Sequence, residues 1–170
     1  MYKDDEYIKR VNKTYSKTFS QRQILPNYIS IVFENMKWLK ILDYGAGKDA
    51  FGTIMLREKG FDVTAYDIGK NYVEGLHDSQ ALTKKYGLIF ASNVINIQSS
   101  HEDIINILQE VNLCMKNKLD YGYSEFYFNI PLKPRKYNFD NIIELSDQVF
   151  GKNMSKLIYG EIYKCSKFTE

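Results

Sequence analysis

The chain offers little material for metal, disulfide or membrane chemistry. Its 170 residues include two cysteines, Cys114 and Cys165, too far apart for a close-spaced metal or redox pair. They read as small hydrophobes of a reducing compartment. The two histidines, His77 and His101, form no zinc-like pattern with them, so no metal is expected. The formal net charge is only +2, which gives no bulk electrostatic reason to bind a nucleic acid or a membrane. No apolar run approaches the ~20 residues of a membrane-spanning helix. The opening M-Y-K-D-D-E-Y is polar and lacks a signal-peptide core. We therefore expect a cytoplasmic protein. No internal repeat or low-complexity linker interrupts the chain.

With 44% hydrophobic residues, the length suits one domain with a proper core. We expect residues 1–27 to be a lead-in or a lid, and residues 28–170 to form the domain. That domain is organised around Lys40–Gly52, K-I-L-D-Y-G-A-G-K-D-A-F-G. Apolar Ile41 and Leu42 run into Asp43, the chain turns through Gly45 and Gly47, and Phe51, Ile54 and Met55 open a helical pattern. A strand, a glycine turn and a helix N-terminus make a cradle for an oxygen-rich ligand, because glycine permits both the turn and a ligand's close approach.

Ahead of this segment, residues 1–20 are polar with scattered tyrosines, and N-K-T-Y-S-K-T-F-S at 12–20 shows little periodicity. Ser20 could cap a helix near Gln21 that Pro26 interrupts. Tyr28, Ile29, Ile31, Val32, Met36 and Trp38 then fall at helical spacing. After the turn, 50–59 reads as a helix closed by Gly60, and F-D-V-T-A-Y-D as a second strand ending at Asp67. Together they form a βαβ unit with parallel strands. Residues 68–86 are too few for a full helix, strand and helix, so we expect a reduced connection with one short helix near 79–85. Leu88–Ser92 is a continuous apolar run, as in a central strand covered on both faces. Ser100 or Ser99 can cap a helix carrying Ile104, Ile105, Leu108, Val111 and Met115. A strand at 123–131, a helix at 141–150 ended by Gly151, and two short strands or one bent strand turning at Gly160 complete an alternating α/β domain. Its sheet should be mostly parallel, with an antiparallel element at the C-terminus.

Three ligand classes compete for the turn. A phosphate-binding P-loop fails, because no glycine stands five residues before Gly47 and Asp49 replaces the Ser/Thr. A dinucleotide fingerprint is met by Gly45, Gly47 and Ala50, with Asp67 about twenty residues on. The third reading uses more of the chain. I-L-D-Y-G-A-G resembles the first motif of the class I S-adenosylmethionine-dependent methyltransferases, with its acid two positions before the first glycine. The resemblance continues through F-D-V-T-A-Y-D, through Y-G-L-I-F-A-S-N-V (similar to the family's fourth strand) and into the C-terminal antiparallel strand, over about residues 28–168. The run N-V-I-N-I is similar to small methyltransferase-like proteins of phage and mobile-element type.

The resemblance implies a Rossmann-like, doubly wound sheet with helices on both faces, S-adenosylmethionine as cofactor, and methyl transfer as the activity. It implies a cofactor site made by Asp43, Gly45, Ala46, Gly47, Asp67, Ile68, Asp78 and Asn93. Asp43 would receive the amino group, directly or through water, and Asp67 the ribose hydroxyls. His77 and Asp78 fall where the family often contacts adenine. The lesser alternatives are that Asp43 is a helix-capping acid and Asp67 a turn former. Methyl transfer needs mainly alignment of nucleophile, methyl and leaving sulfur, so no triad need be visible.

Amino-group DNA methyltransferases carry [DN]-P-P-[YF] after the fourth strand. Here that place reads Asn93-Val94-Ile95-Asn96, so only the polar first position is kept. The cytosine-C5 route needs a Pro-Cys nucleophile, and neither cysteine follows a proline. Asn93 is thus the candidate catalytic residue, against its being a turn residue. His101, at a capped helix start, is either a base or a solvated side chain. The loop P-L-K-P-R-K-Y-N offers Lys133, Arg135, Lys136 and Tyr137 as a basic and aromatic patch suited to a nucleotide, or as a solvated loop. We expect a nucleic acid or nucleotide-like substrate. The alternatives are a non-catalytic S-adenosylmethionine-binding module and a small-molecule methyltransferase.

Overall fold

Leu88–Ala91 consists of four apolar residues, all buried, because both faces of that strand are covered. It is the third strand, β3, of a six-stranded sheet in a computed structural model that describes residues 5–14, 23–117, 124–131 and 139–167. The other strands are β1 (Lys40–Tyr44), β2 (Asp62–Tyr66), β4 (Glu125–Asn129), β5 (Ser155–Tyr159) and β6 (Ile162–Ser166). Their order across the sheet is β2-β1-β3-β4-β6-β5. β1 pairs in parallel with β2 and β3, and β3 with β4. β6 runs antiparallel to both β4 and β5. The C-terminal element is therefore two strands, turning at Gly160 with φ 52°.

The helices are α1 (Asp5–Thr14), α2 (Ile24–Val32), α3 (Phe51–Glu58), α4 (His101–Cys114) and α5 (Ile142–Phe150). α2 and α3 cover one face of the sheet and α4 and α5 the other, each pair over its own core. On one face Leu25, Ile29 and Phe33 of the α2 segment and Leu56 of α3 meet Ile41, Val63, Leu88 and Phe90. On the other, Ile104, Leu108 and Val111 of α4 and Leu145 and Phe150 of α5 meet Leu42, Ile89, Phe126 and Phe128. Ser100 caps α4, its hydroxyl accepting the Asp103 N–H at 3.1 Å.

Three local expectations need correction. Residues 5–14, where no element was expected, form a helix. Pro26 does not interrupt a helix; it sits in the first turn of α2, where its missing N–H costs nothing. That helix also ends at Val32, short of Trp38. The backbone leaves helical geometry at Phe33 and makes a 3-10 turn at 34–36, which brings both Phe33 and Leu39 into the core. As a result Ile31, Val32 and Trp38 lie exposed, not on a buried stripe.

The connection from β2 to β3 is indeed reduced. It contains two 3-10 turns, at 69–71 and 81–83, and no α-helix. β2 is consequently an edge strand, but its outward carbonyls are taken. Arg57 Nε donates to Val63 O at 2.9 Å, and the Asp78 N–H donates to Ala65 O at 2.9 Å.

Candidate active site

The glycine turn closes onto the end of β2. Gly45 N–H and Ala46 N–H both donate to Tyr66 O, at 2.8 and 3.0 Å. Gly45 and Gly47 have φ of 76° and 75°, the left-handed region in which a side chain is strained. A Cβ on Gly47 would meet nothing within 4 Å, so the turn presents an open face there. At Gly45 the corresponding space is filled by Val94, from the loop after β3.

Asp67 bridges the end of β2 to this turn. Its Oδ2 accepts the Gly47 N–H at 2.7 Å and its Oδ1 accepts its neighbour's N–H, from Ile68, at 2.7 Å. Burial pushes its pKa up, opposed by these two N–H groups and by a hydrogen bond from the Asn71 side chain. The oxygen of that amide, Asn71 Oδ1, is buried without a hydrogen-bond partner among the described residues.

Asp43 lies beneath the turn, 2% exposed, with Thr53 Oγ1 of α3 donating to it at 2.8 Å. Burial raises its pKa to about 7; the Thr53 hydrogen bond opposes the rise and the neighbouring Asp67 adds to it. Gly52 leaves room for this acid, since a Cβ there would stand 3.3 Å from Asp43 Oδ2 and 2.9 Å from the Pro26 ring.

His77 is 5% exposed and points at the turn from the reduced connection. Its Nε2 lies 2.8 Å from Gly47 O, and its Nδ1 lies 3.0 Å from Val73 N. Because a carbonyl only accepts, Nε2 donates to Gly47; Nδ1 lies 3.3 Å from Val73 O as well, and its shorter contact is the one in which it accepts the Val73 N–H. Both ring nitrogens are thus committed to backbone groups. Asp78 is more open. It accepts the Gln80 N–H at 2.8 Å and pairs with Lys84 at 2.5 Å, and that hydrogen bond from Lys84 holds its pKa below the ordinary carboxylate value. Ile68 packs, partly buried, against the α4 side of the core.

Asn93 has a left-handed φ of 57° and pairs with Asn129 at the end of β4. The Asn93 N–H donates to Asn129 Oδ1 at 2.8 Å, and Asn129 Nδ2 donates back to Asn93 Oδ1 at 2.9 Å. Asn93 Nδ2 has no partner among the described residues. The structure thus gathers Asp43, Gly45, Ala46, Gly47, Asp67 and Ile68 around one turn, and ties Asn93 to it through its neighbour Val94. Lys133, Arg135, Lys136 and Tyr137 lie outside the described residues. His101 is exposed at the start of α4.

Sequence reasoning did not find Asn129, nor the attachment of α1. That helix spans from α4 to the 3-10 turn after β2. Arg10 pairs with Asp103 at 3.1 Å, and Asn12 Oδ1 accepts the Lys70 N–H at 3.0 Å and abuts Gly69. α1 therefore crosses the end of the sheet where the strands deliver Asp67 and Asn93. Beneath it, Tyr44 donates to the buried Glu110 at 2.6 Å and packs against the Tyr66 ring, tilted by 48° with centroids 5.3 Å apart. Burial, reinforced by Glu110, pushes the hydroxyl pKa values of Tyr7, Tyr44 and Tyr66 up. No cluster of His, Cys, Asp and Glu able to hold a metal ion occurs among the described residues, and no described helix is long and apolar enough to cross a membrane.

No protein-family model matches the chain, and no curated protein matches it in sequence. Solved structures do match. A TehB-like S-adenosylmethionine-dependent methyltransferase from Corynebacterium glutamicum aligns with a TM-score of 0.61 at 14% identity, over 96% of this chain and 97% of the other. Magnesium protoporphyrin IX methyltransferase from Synechocystis with bound S-adenosylmethionine aligns at 0.58 and 13% identity, over 98% and 94%. The Thermus 16S rRNA N2 G1207 methyltransferase, in complex with the same cofactor and guanosine, aligns at 0.56 and 13% identity, over 90% of this chain and 44% of that one. The likeness establishes a Rossmann-like methyltransferase fold for the chain.

Proposed function

We propose that the chain binds S-adenosylmethionine at the turn between β1 and α3 and transfers its methyl group to a nucleic acid or nucleotide-like acceptor. The observation that carries the cofactor reading is the pairing at Gly47. A left-handed glycine with open space over it has its N–H on the carboxylate that ends the next strand. An acid so placed suits a ribose diol, and a turn without a Cβ suits close approach of a ligand. A carboxylate has about four acceptor positions, and three are engaged here. A diol would take the remaining position and share another.

Bound cofactor supplies an electrophilic methyl group on a sulfonium. Within this reading the chain's own residues bind and align. Gly45, Ala46 and Gly47 give backbone access, Asp43 answers an amino group directly or through water, and Asp67 and Ile68 hold the ribose side. Asp78 borders the adenine end, and Asn93 directs its amide at the acceptor. The nucleotide-like acceptor is supported by Asn93 in the position after β3 and by the basic composition of 133–137. The phage-type likeness of 93–97 rests on sequence alone. A small-molecule acceptor is the second reading, favoured by α1, whose attachments cross the end of the sheet where a polymer would enter.

Calorimetry with S-adenosylmethionine, S-adenosylhomocysteine and NADH tests the cofactor. Binding of NADH alone would overturn the proposal. Transfer of labelled methyl groups to DNA, RNA and small-molecule pools then assigns the acceptor, and tight binding without transfer to any pool would identify a non-catalytic binding module.

A further inference from the structure

Glycine restricts its own backbone less than any other residue, so the two peptides flanking Gly47 must be oriented from outside. Asp67 fixes one of them through the Gly47 N–H at 2.7 Å. The other presents Gly47 O, which accepts the Ala50 N–H at 3.2 Å within the turn and, more closely, His77 Nε2 at 2.8 Å from thirty positions along the chain. We infer that His77 is a positioning residue for the cofactor turn, holding the Gly47 carbonyl so that the open face of the glycine is set before ligand arrives. The inference rests on the cofactor reading above.

Three features make the histidine suited to this. Between β2 and β3 the chain has only two 3-10 turns, so no α-helix there buttresses the glycine turn. The ring is held at its far side by the Val73 N–H at 3.0 Å, within the tight turn in which the His77 N–H also donates to Val73 O at 3.0 Å. The Tyr72 ring covers it at 6.0 Å. A donor on Nε2 and a lone pair on Nδ1 match the Gly47 carbonyl and the Val73 N–H in a single tautomer. With both ring nitrogens engaged by backbone groups, His77 offers an adenine base no free ring hydrogen bond. A turn already held in its binding geometry loses less freedom when ligand binds, which raises affinity without adding a contact.

The test uses calorimetric titration of the full chain with S-adenosylhomocysteine, on wild type, His77→Phe and His77→Gln. His77→Phe keeps ring bulk and loses the donor; His77→Gln keeps an N–H at comparable reach. We expect His77→Phe to weaken binding by about tenfold or more and His77→Gln to stay within about threefold of wild type. Nitrogen NMR of the wild-type ring, which requires no variant to fold, should show protonated Nε2 and unprotonated Nδ1. Equal affinity of folded His77→Phe and wild type, equal weakness of the two variants, or a neutral ring protonated on Nδ1 would each overturn the inference. A wild-type chain that binds no S-adenosylhomocysteine would instead overturn the cofactor reading.

Discussion

Val94 occupies the volume that a Cβ on Gly45 would require. The loop leaving β3 is thereby keyed into the loop leaving β1, and it is pinned there by Gln98, whose Nε2 donates to Val94 O at 2.8 Å. Gly45→Ala should lower stability by about 2–4 kcal/mol, combining left-handed strain with overpacking. Gly47→Ala, with strain but open space, should lose only about 1–2 kcal/mol. Adding Val94→Ala to Gly45→Ala should recover part of the loss, seen in urea denaturation as a coupling above about 0.5 kcal/mol. Additive losses would mean that the two loops are not keyed together.

The Asn93–Asn129 exchange joins the ends of two strands across 36 positions of sequence. Asn129 is 2% exposed, so Asn129→Ala strands the Asn93 N–H without an acceptor and should destabilise the fold by about 1–3 kcal/mol. Asn129→Asp keeps that acceptor and loses the return donor, and should fall between wild type and Asn129→Ala. Urea midpoints of the three proteins check the order.

Asp43 ties stability to pH in the direction opposite to most carboxylates. Its pKa rises from 3.8 to about 7 in the folded chain, chiefly through burial. Between those values the folded state holds a proton that the unfolded state has released. Stability from this group is therefore highest below about pH 4 and declines as pH rises towards 7, by at most about 1.4 kcal/mol per pH unit. Asp43→Asn, which still accepts from Thr53, should flatten that slope. The check is the wild-type minus Asp43→Asn difference in denaturation free energy from pH 4 to pH 8, which cancels the other carboxylates.

The described part of α1 is held by polar attachments at Arg10 and Asn12. The Arg10 side chain is half exposed, so Arg10→Ala should cost under about 1 kcal/mol. The combination with Asn12→Ala should speed amide exchange in 5–14 severalfold while leaving β1 and β3 protected, a local opening and not global unfolding. Faster exchange throughout would show instead that α1 supports the whole fold.

What the sequence revealed and concealed divides by the range of the interaction. The β1–α3–β2 unit is written locally: apolar Ile41 and Leu42, two glycines that must adopt positive φ, the stop at Gly60, and alternation up to Asp67. The Ser100 cap is equally local, three residues from its donor. α1 was missed although Tyr7, Ile8 and Val11 stand at helical spacing, and its attachments, Arg10 onto the Asp103 carboxylate and Asn12 onto the Lys70 N–H, lie far along the chain. α2 was read too long because Ile31 and Trp38 continue a helical spacing yet face solvent. Asn129 was hidden because a buried amide at a strand end reads as an ordinary boundary until its partner is brought beside it. His77 drew attention, but the family resemblance suggested a base contact there and could not show that backbone groups would engage both ring nitrogens.

The reduced connection after β2 also decides where the sheet can grow. Removing further strands from that side leaves β2 as a border, and a bare border invites a foreign strand to zip on. Here the guanidinium of Arg57 and the amide of Asp78 have already claimed the Val63 and Ala65 carbonyls that an incoming strand would use. The opposite border, β5, carries exposed Leu157 and Tyr159 and has a bulge between them. Strand addition at β2, beside the glycine turn, would therefore have to displace both the Arg57 and the Asp78 contacts.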